Sequence, residues 1–327
     1  MKVTLIHNPG AGDGSQPTDG QLVALIEEAG HKVRYHSTED GDWKRALRKK
    51  ADLVAIAGGD GTVGKIARRM IGSGVPIAVL PMGTANNISR TLGIAGAQVH
   101  QLILTWATAR RMKFDAGCAK GPWGSRHFIE GVGAGLFPRA LPGIQRNKTM
   151  ANLTEADAKV SYAIQMLREH LDECPALKLK ATLDGKDISG SYLMFEVMNT
   201  RYIGPNLFLA PGVSHNNGLL DVVFVEEKNR KKLAKYLATW QEGKLWPLGM
   251  GVGRGKRVTM EWTGYPVHID DKLWPRKGKA KGRNKGRDKS AERPRHGPMK
   301  LTIERGAVEF LVPRKPLPGL ATKGHLQ

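Results

Sequence analysis

The first third of the chain alternates strand-like segments with segments of helical spacing. The strand-like segments are VTLIHN, KVRYHS, DLVAIAG and PIAVLP, which are rich in β-branched and other apolar residues. Between them, QLVALIEEAG and WKRALRKK repeat apolar positions every three or four residues, and Gly30 ends the first of these predicted helices. This alternation predicts a parallel sheet covered by helices over residues 1–112.

Beyond residue 113 the pattern changes to many strand-like segments joined by turns. These segments are KFDAGCA, SRHFIEGVG, LKLKATLDG, SYLMFEVMN, GLLDVVFVEE, KRVTMEWTG, YPVHIDD, MKLTIER and AVEFLVP. Two helical segments interrupt them, near residues 155–170 and 230–242. The pattern predicts an antiparallel β-sandwich over residues 113–313. The predicted fold class is therefore α/β, with an N-terminal parallel-sheet domain followed by a C-terminal antiparallel β-sandwich.

Three loops rich in glycine and small polar residues follow strands of the predicted parallel sheet. They are NPGAGDG after the first strand, GGDGT after the third and PMGTANN after the fourth. The carboxyl ends of parallel strands lie at one edge of a sheet, so we expect the loops to meet there. Their backbone N–H groups, together with the helix that follows GGDGT, are suited to bind phosphate.

An aspartate, Asp60, stands in the GGDGT loop where an anion would otherwise bind. Gly59, Gly61 and Gly64 fit the G-x-G-x-x-G pattern of a dinucleotide fold. That fold needs an acid about twenty residues later, and no Asp or Glu occurs between Gly61 and Phe114. The chain also lacks the G-x-x-x-x-G-K-[ST] phosphate loop. A carboxylate among glycines instead favours a phosphate site that also binds Mg²⁺, with a turn that binds nothing as the alternative.

Net charge adds a second constraint on function. The 327 residues carry 51 Lys and Arg against 30 Asp and Glu, a net charge of +21, which indicates a polyanionic partner. Ten of the basic residues lie in residues 276–296, a segment without Leu, Ile, Val or aromatic residues that we expect to be a disordered insertion. Because no aromatic residues interleave these charges and no recognised binding module occurs, nucleic acid is not the expected partner.

Other features of the sequence predict a cytoplasmic protein. The N-terminus enters a strand at once and has no apolar run of a signal peptide. No apolar segment approaches the roughly 20 residues that a membrane span needs. The two cysteines are too few for a disulfide framework, and no Cys or His pair has the sequence spacing of a zinc site.

Four motifs, NPGAG, GGDGT, LPMGTANNISRTLGI and NNGLLDV, together resemble the diacylglycerol kinase catalytic family of bacterial lipid kinases. The GGDG core is shared more broadly with NAD kinases and sphingosine kinases. The resemblance implies an ATP-binding domain at residues 1–112, a substrate domain at 113–313 and a tail at 314–327. It also implies transfer of the ATP γ-phosphate to a lipid hydroxyl in the cleft between the domains, with ATP and Mg²⁺ as cofactors.

The resemblance implies roles for individual residues where the motifs match. Asp270 would accept the proton of the substrate hydroxyl as a general base, and Asp60 would belong to the Mg²⁺–phosphate network. A structural metal would lie at Ser214, Asn217 and Leu219. The residues expected to contact ATP are Asn8, Pro9, Gly10, Ala11, Gly12, Ser37, Gly58, Gly59, Asp60, Gly61, Thr62, Gly64, Thr84 and Asn86.

Two positions depart from the family pattern. Asn217 stands where the family often has Asp, so the metal site loses a charge and its affinity for a divalent cation should fall. The D-G-E motif is replaced by Asp270-Asp271-Lys272, which reverses a charge beside the chemistry. Three hypotheses therefore stay open: a lipid kinase, a kinase of a soluble hydroxyl compound such as NAD, and a decayed family member that only binds anions.

A kinase of membrane lipids must meet its substrate at a surface. The expected partner is therefore a lipid in an anionic membrane leaflet, with peripheral association of the protein. Phe137, Leu141 and Ile144 are candidates to line a path for the lipid chain, and ordinary packing is the alternative. A homodimer is also left open by the sequence.

Deleting residues 276–296 should weaken binding to anionic vesicles, and should do so more at low salt than at high salt. Each Lys or Arg near an anionic surface contributes about 1 kcal/mol, and salt screens this attraction. Vesicle co-sedimentation measures the binding, and activity on a micellar or soluble short-chain substrate should survive the deletion. If the segment only adds solubility, the truncated chain will bind anionic vesicles as tightly as the full chain at low salt.

Overall fold

The computed structural model describes residues 1–241, 251–275 and 296–317. Residues 276–295 of the predicted basic insertion, and residues 318–327 of the predicted tail, lie outside the described residues. No helix of the described part is long and apolar enough to cross a membrane.

The N-terminal part forms the predicted parallel sheet. Its strands are β1 (Lys2–His7), β2 (Lys32–Ser37), β3 (Leu53–Gly58) and β4 (Ile77–Pro81). They pair in parallel in the order β2-β1-β3-β4. The helices around them are α1 (Asp19–Glu28), α2 (Trp43–Ala46), α3 (Asp60–Met70), α4 (Asn87–Thr91) and α5 (Val99–Thr105).

The core of this part forms because the central strand is apolar on both faces. All six residues of β3 are buried, as expected for a parallel strand covered by helices on both sides. Helix α3 buries Val63, Ile66, Ala67 and Met70, which recur at helical spacing on one face. A helix was predicted over WKRALRKK, but in the structure α2 is a single turn, Trp43–Ala46. Trp43 and Ala46 are its buried residues, and the residues that follow are mostly basic.

The described residues of the C-terminal part form the predicted antiparallel sandwich together with α-helices. Its strands are β5 (Arg110–Gly121), β6 (Gly124–Phe128), β7 (Gly131–Gly135), β8 (Leu177–Leu179), β9 (Ala181–Leu183), β10 (Lys186–Asp187), β11 (Gly190–Met198), β12 (Tyr202–Ile203), β13 (Leu207–Phe208), β14 (Leu220–Glu226), β15 (Val252–Gly255), β16 (Arg257–Trp262), β17 (Val267–Ile269), β18 (Lys272–Trp274) and β19 (Gly297–Val312). Its helices are α6 (Leu136–Arg146), α7 (Lys148–Asn152), α8 (Ala156–Glu173) and α9 (Arg230–Gln241).

Two sheets pack face to face to form the sandwich. One has the order β15-β14-β11-β7-β17-β18, with β8 paired to β11. The other contains β10, β9, β16, β19, β5 and β6. The core between them includes the fully buried Phe128, Phe195 and Trp262. A second core lies on the other face of the first sheet, where α6, α8 and α9 cover it.

Helix α6 spans the segment LFPRALPGIQR, where the sequence pattern predicted no helix. Pro142 lies inside the helix, and such a residue normally argues against one. Burial outweighs this penalty, since Phe137, Ala140 and Ile144 pack into the core beneath α8 and α9. Phe137 and Ile144 are therefore core residues in this structure, and Leu141 is a partly buried neighbour of the same core.

Strand β19 joins the two parts of the molecule. The sequence predicted two strands, MKLTIER and AVEFLVP, and the structure has one 16-residue strand with an irregularity between Glu304 and Val308. Gly306 has a positive φ of 60° in this irregularity, and its N–H donates to the buried carboxylate of Asp115. Near its end the strand pairs with β4, so one continuous sheet runs through both parts.

Candidate active site

The three glycine-rich loops meet at the carboxyl edge of the parallel sheet, and side chains tie them together. Asn8 of the first loop donates from Nδ2 to Oγ1 of Thr62, at the start of α3, over 3.2 Å. Its Oδ1 accepts a hydrogen bond of 3.3 Å from Thr38, which follows β2. Asn8 therefore connects the ends of three neighbouring strands.

The second and third loops touch through their backbones. A Cβ atom on Gly83 would lie 2.4 Å from Cα of Gly59, and one on Gly59 would lie 2.9 Å from Cα of Gly83. Gly12 of the first loop has a φ of 90°, and a Cβ there would lie 2.8 Å from the carbonyl oxygen of Met82. The glycines are needed because no side chain fits between these loops.

Asp60 holds the second and third loops together. Its Oδ2 accepts the N–H of Asn87 and its Oδ1 accepts the N–H of Ile88, each over 2.9 Å. These are the first two residues of α4, so Asp60 satisfies N–H groups that lack partners within the helix. Asn86, the residue before α4, binds both backbone groups of Gly83 and has a left-handed backbone.

Burial raises the pKa of Asp60, while the N–H groups of Ile88 and Asn87 act in the opposite direction. An Asp60→Asn substitution would place an NH₂ group against one of those N–H donors. Loss of activity in that variant would therefore combine any effect on a metal with a structural effect on α4.

The loops form one wall of a cleft of about 470 Å³. The other contributions come from α8, through Lys159, and from the Asp271-Lys272 turn between β17 and β18. The lining residues are Asn8, Gly10, Ala11, Gly12, Thr38, Gly59, Gly61, Thr62, Lys65, Gly83, Thr84, Lys159, Asp271 and Lys272.

Eight residues expected to contact ATP line this cleft: Asn8, Gly10, Ala11, Gly12, Gly59, Gly61, Thr62 and Thr84. The other six lie outside its lining: Pro9, Ser37, Gly58, Asp60, Gly64 and Asn86. Ser37 is buried, and the following residue, Thr38, reaches the cleft in its place.

The charged lining residues are three lysines and one acid, an excess of positive charge that favours a polyphosphate. Lys65 also lies over the ring of Trp43, and burial together with neighbouring cations lowers its pKa. The sequence motifs did not single out Lys65 or Lys159. Lys272 is the third lysine of the cleft, and it is the residue that departs from the family's D-G-E motif.

Asp270 lies behind the cleft and its carboxylate is fully engaged. It accepts the backbone N–H groups of Ile129, Glu130 and Gly131 over 2.9–3.3 Å and forms an ion pair with Arg68. Only 3% of its side chain is exposed. Burial raises its pKa, while Arg68 and the three N–H groups oppose that shift.

Asp271 differs from its neighbour because it faces the cleft. It lies beside Gly61, where a Cβ atom would be 3.2 Å from Oδ2 of Asp271. The same oxygen pairs with the ammonium group of Lys272. The other oxygen, Oδ1, has no hydrogen-bond partner in the part of the chain that the structure describes.

A buried pair supports the Asp270 turn from beneath. The imidazole of His268 donates from Nδ1 to the carbonyl oxygen of Asp270 over 3.0 Å, and its Nε2 lies 2.7 Å from Oε2 of Glu196. Both side chains are fully buried. Burial lowers the pKa of His268, but Glu196 and the Asp270 carbonyl outweigh burial and raise it overall. This pair helps to hold Asp270 at its positive φ of 49°.

Glu130 is a buried acid of the site that the motif analysis missed. Its Oε2 accepts a hydrogen bond of 3.1 Å from Nδ2 of Asn87. Burial and the nearby carboxylates of Asp60 and Asp270 raise its pKa well above the ordinary value. The available signal was an acid in the middle of the apolar run HFIEGVG.

Four carboxylates thus lie close together, and three of them raise the pKa of the fourth, Glu130. They are Asp60, Glu130, Asp270 and Asp271. Arg68 pairs with Asp270 and Lys272 pairs with Asp271, while Asp60 and Glu130 form no ion pair among the described residues. Oδ1 of Asn87 is also buried without a hydrogen-bond partner among those residues. A set of carboxylate and amide oxygens fits Mg²⁺, whose binding would favour the ionised acids.

The three residues expected to hold a structural metal lie elsewhere, in the loop before β14. None of them lines the cleft. Oδ1 of Asn217 accepts the N–H of Leu219 over 2.9 Å, and Ser214 donates to Asn216 over 3.0 Å. The metal site in this loop stays a prediction.

Comparison with known proteins gives one consistent family. Residues 2–119 match the model of the diacylglycerol kinase catalytic domain, and residues 144–273 match that of the YegS C-terminal NAD kinase beta sandwich-like domain. A diacylglycerol kinase of Mycobacterium tuberculosis is 26% identical over 311 residues, which cover 90% of this chain and 96% of that protein. A YegS-like lipid kinase of Pseudomonas aeruginosa is 31% identical over 211 residues, or 61% and 65% of the two chains.

A solved structure shows the same fold. The crystal structure of a diacylglycerol kinase from Bacillus anthracis has a TM-score of 0.70 to this chain, with 21% sequence identity. The alignment covers 96% of this chain and 97% of that structure. The α/β fold with a C-terminal β-sandwich is thereby confirmed.

Gly83→Ala should lower both the melting temperature and the affinity for nucleotide. The added methyl group would meet Cα of Gly59 and push the second and third loops apart, at a cost of about 1–3 kcal/mol. Thermal unfolding and equilibrium nucleotide binding measure the two effects. The matched control is Gly20→Ala, in α1, where a Cβ meets no atom within 4 Å. Equal melting temperatures for Gly83→Ala and the control would contradict the tight contact.

Proposed function

This chain belongs to the diacylglycerol kinase catalytic family, and from that premise we propose that it transfers the γ-phosphate of ATP to a lipid hydroxyl. The lipid is diacylglycerol or a related compound. The observation that carries the proposal is the cleft, which unites three glycine-rich loops with three lysines and one carboxylate. The backbone and the cations suit a polyphosphate, and the carboxylate suits a hydroxyl group.

The loops would hold the phosphates of ATP through backbone N–H groups at the start of α3, where the helix dipole adds attraction. Lys65 of α3, Lys272 of β18 and Lys159 of α8 all line the cleft. In phosphoryl transfer, positioning and charge stabilisation supply most of the catalysis. The lysines would therefore both hold ATP and stabilise charge on the transferred group.

Asp60, Asn87 and Glu130 would hold Mg²⁺. Their oxygens include an amide oxygen without a hydrogen-bond partner among the described residues and a carboxylate whose pKa is raised well above its ordinary value by burial and by nearby acids. When bound, Mg²⁺ would supply positive charge that stabilises the transferred phosphate. The protein's own part is to fix these donors, and Asn87 does so through its contacts with both acids.

We assign acceptance of the hydroxyl proton to Asp271. The family motif gave that role to Asp270, but the contacts of the two carboxylates favour the neighbour. Protonation of Asp270 would disturb its contacts with three N–H groups and Arg68, whereas Asp271 lines the cleft and its Oδ1, although buried, has no hydrogen-bond partner among the described residues. Asp270 would then position the turn, and Lys272 would orient Asp271 through its other oxygen.

The protein would bind its lipid substrate at an anionic membrane surface. The net charge of +21 supports this, because long-range attraction raises the local concentration of the protein at such a surface. Peripheral association, rather than insertion, is the form we propose.

Asp271→Asn should lower kcat on the order of 10²–10⁴-fold, because an amide cannot accept the proton. Its melting temperature should stay near that of the unchanged protein, since the side chain is 33% exposed. Asp270→Asn should instead lower the melting temperature, because its NH₂ group would face the N–H groups of residues 129–131. Steady-state kinetics and thermal unfolding of both variants give the comparison. The assignment would be wrong if Asp271→Asn were fully active while Asp270→Asn were stable but inactive. Asp270 would then be the residue that accepts the hydroxyl proton.

The kinase activity itself is tested with γ-labelled ATP, Mg²⁺ and a panel of acceptors. The panel contains diacylglycerol, sphingosine and ceramide in mixed micelles, with NAD as the soluble acceptor. Label should appear in a lipid, and chelation of Mg²⁺ should abolish the transfer. If label appears only in NAD, the substrate is a soluble compound and not a lipid. Retention of ATP without transfer to any acceptor would indicate a member that only binds anions.

A further inference from the structure

Three side chains with different metal-binding atoms meet on the sheet that contains β5, β6 and β19. Cys118 lies on β5, His127 on β6 and Glu304 on β19. The neighbouring residues Ala119 and Phe128 point into the sandwich core, so Cys118 and His127 point away from it. None of the three lines the cleft.

The strand register brings these side chains to one face. Cys118 is directly opposite His127 in the β5–β6 pair and opposite Thr302 in the β5–β19 pair. Glu304 is two residues beyond Thr302 and therefore shares its face. His127 and Glu304 flank Cys118 from the two neighbouring strands.

The distances are short enough for a shared ligand. Nε2 of His127 lies 2.9 Å from Oε1 of Glu304. One ligand atom from each of the three residues lies within 4.8 Å of those from the other two. Zinc bonds of about 2.0–2.3 Å in a tetrahedral arrangement place ligand atoms roughly 3.3–3.8 Å apart. The side chains of His127 and Glu304 are 36% and 48% exposed, so small rotations can close that difference.

The donor set selects the metal. A thiolate and an imidazole favour Zn²⁺ over the hard cations Mg²⁺ and Ca²⁺, which prefer oxygen ligands. The carboxylate is a third zinc ligand, and water can complete a tetrahedral site that is open to solvent on one side. The Cys118 thiol gives up its proton when the metal binds.

We propose that Cys118, His127 and Glu304 bind one Zn²⁺ ion. The ion links β6 and β19 to β5, the strand between them. Because β19 also continues into the parallel sheet, the link fixes the strand that joins the two parts of the molecule. The site is structural, and phosphoryl transfer does not require it.

The test uses the full-length protein, freed of metal with a chelator and kept in excess Mg²⁺. Zn²⁺ is titrated against a chromophoric chelator, and Co²⁺ is added separately to follow its absorption spectrum. We expect one equivalent of Zn²⁺, a thiolate-to-cobalt charge-transfer band, and a higher melting temperature with Zn²⁺. Cys118→Ser and His127→Gln should each weaken Zn²⁺ binding at least ten-fold and remove the rise in melting temperature.

The matched control is Cys174→Ser, which changes the other cysteine. Cys174 is buried, and its Sγ lies 3.3 Å from Nη1 of Arg139. We expect Cys174→Ser to leave the affinity for Zn²⁺ unchanged. Circular dichroism of each metal-free variant checks that the fold is retained. The proposal is overturned if Cys118→Ser binds Zn²⁺ as tightly as the control. It is also overturned if Co²⁺ gives no thiolate band, in which case His127 and Glu304 form an exposed ion pair only.

Discussion

The two oxygens of Asp60 accept the first two N–H groups of α4, and the geometry of the cleft depends on this contact. Asp60 begins α3, so its side chain fixes the start of one helix against the start of another. The same contact brings Gly59 and Gly83 to a separation that no side chain permits. An aspartate in a glycine loop thus has a structural role that is independent of any cation.

The second half of the site depends on a similar use of a buried acid. Asp270 accepts three backbone N–H groups from residues 129–131, at the start of β7, while Arg68 of α3 pairs with it from the N-terminal part. His268 and Glu196 support the turn from the interior of the sandwich. These contacts hold the turn so that the following residue, Asp271, lines the cleft. The proposed mechanism therefore gives positioning to Asp270 and proton acceptance to Asp271.

Local patterns in the sequence predicted the strands of the parallel sheet and the meeting of the glycine loops, because these depend on residues close together in the chain. Helix α6 was missed because Pro142 is a local signal against a helix, and only packing against distant helices outweighs it. Lys159 could not be assigned to the site because its position depends on how α8 lies against the loops. The cluster at Cys118 was invisible for the same reason, since His127 and Glu304 are 177 positions apart.

The path of β19 has a consequence for the order in which the molecule can be completed during synthesis. Val308, Phe310 and Val312 belong to the apolar core of the N-terminal part, although they are among the last residues that the structure describes. When residues 1–112 have left the ribosome, β4 can pair with β3 but lacks its other neighbour, β19, and part of the apolar core is still uncovered. That surface stays exposed until nearly two hundred further residues have emerged. The nascent chain therefore has a long interval in which chaperones have an apolar surface to bind.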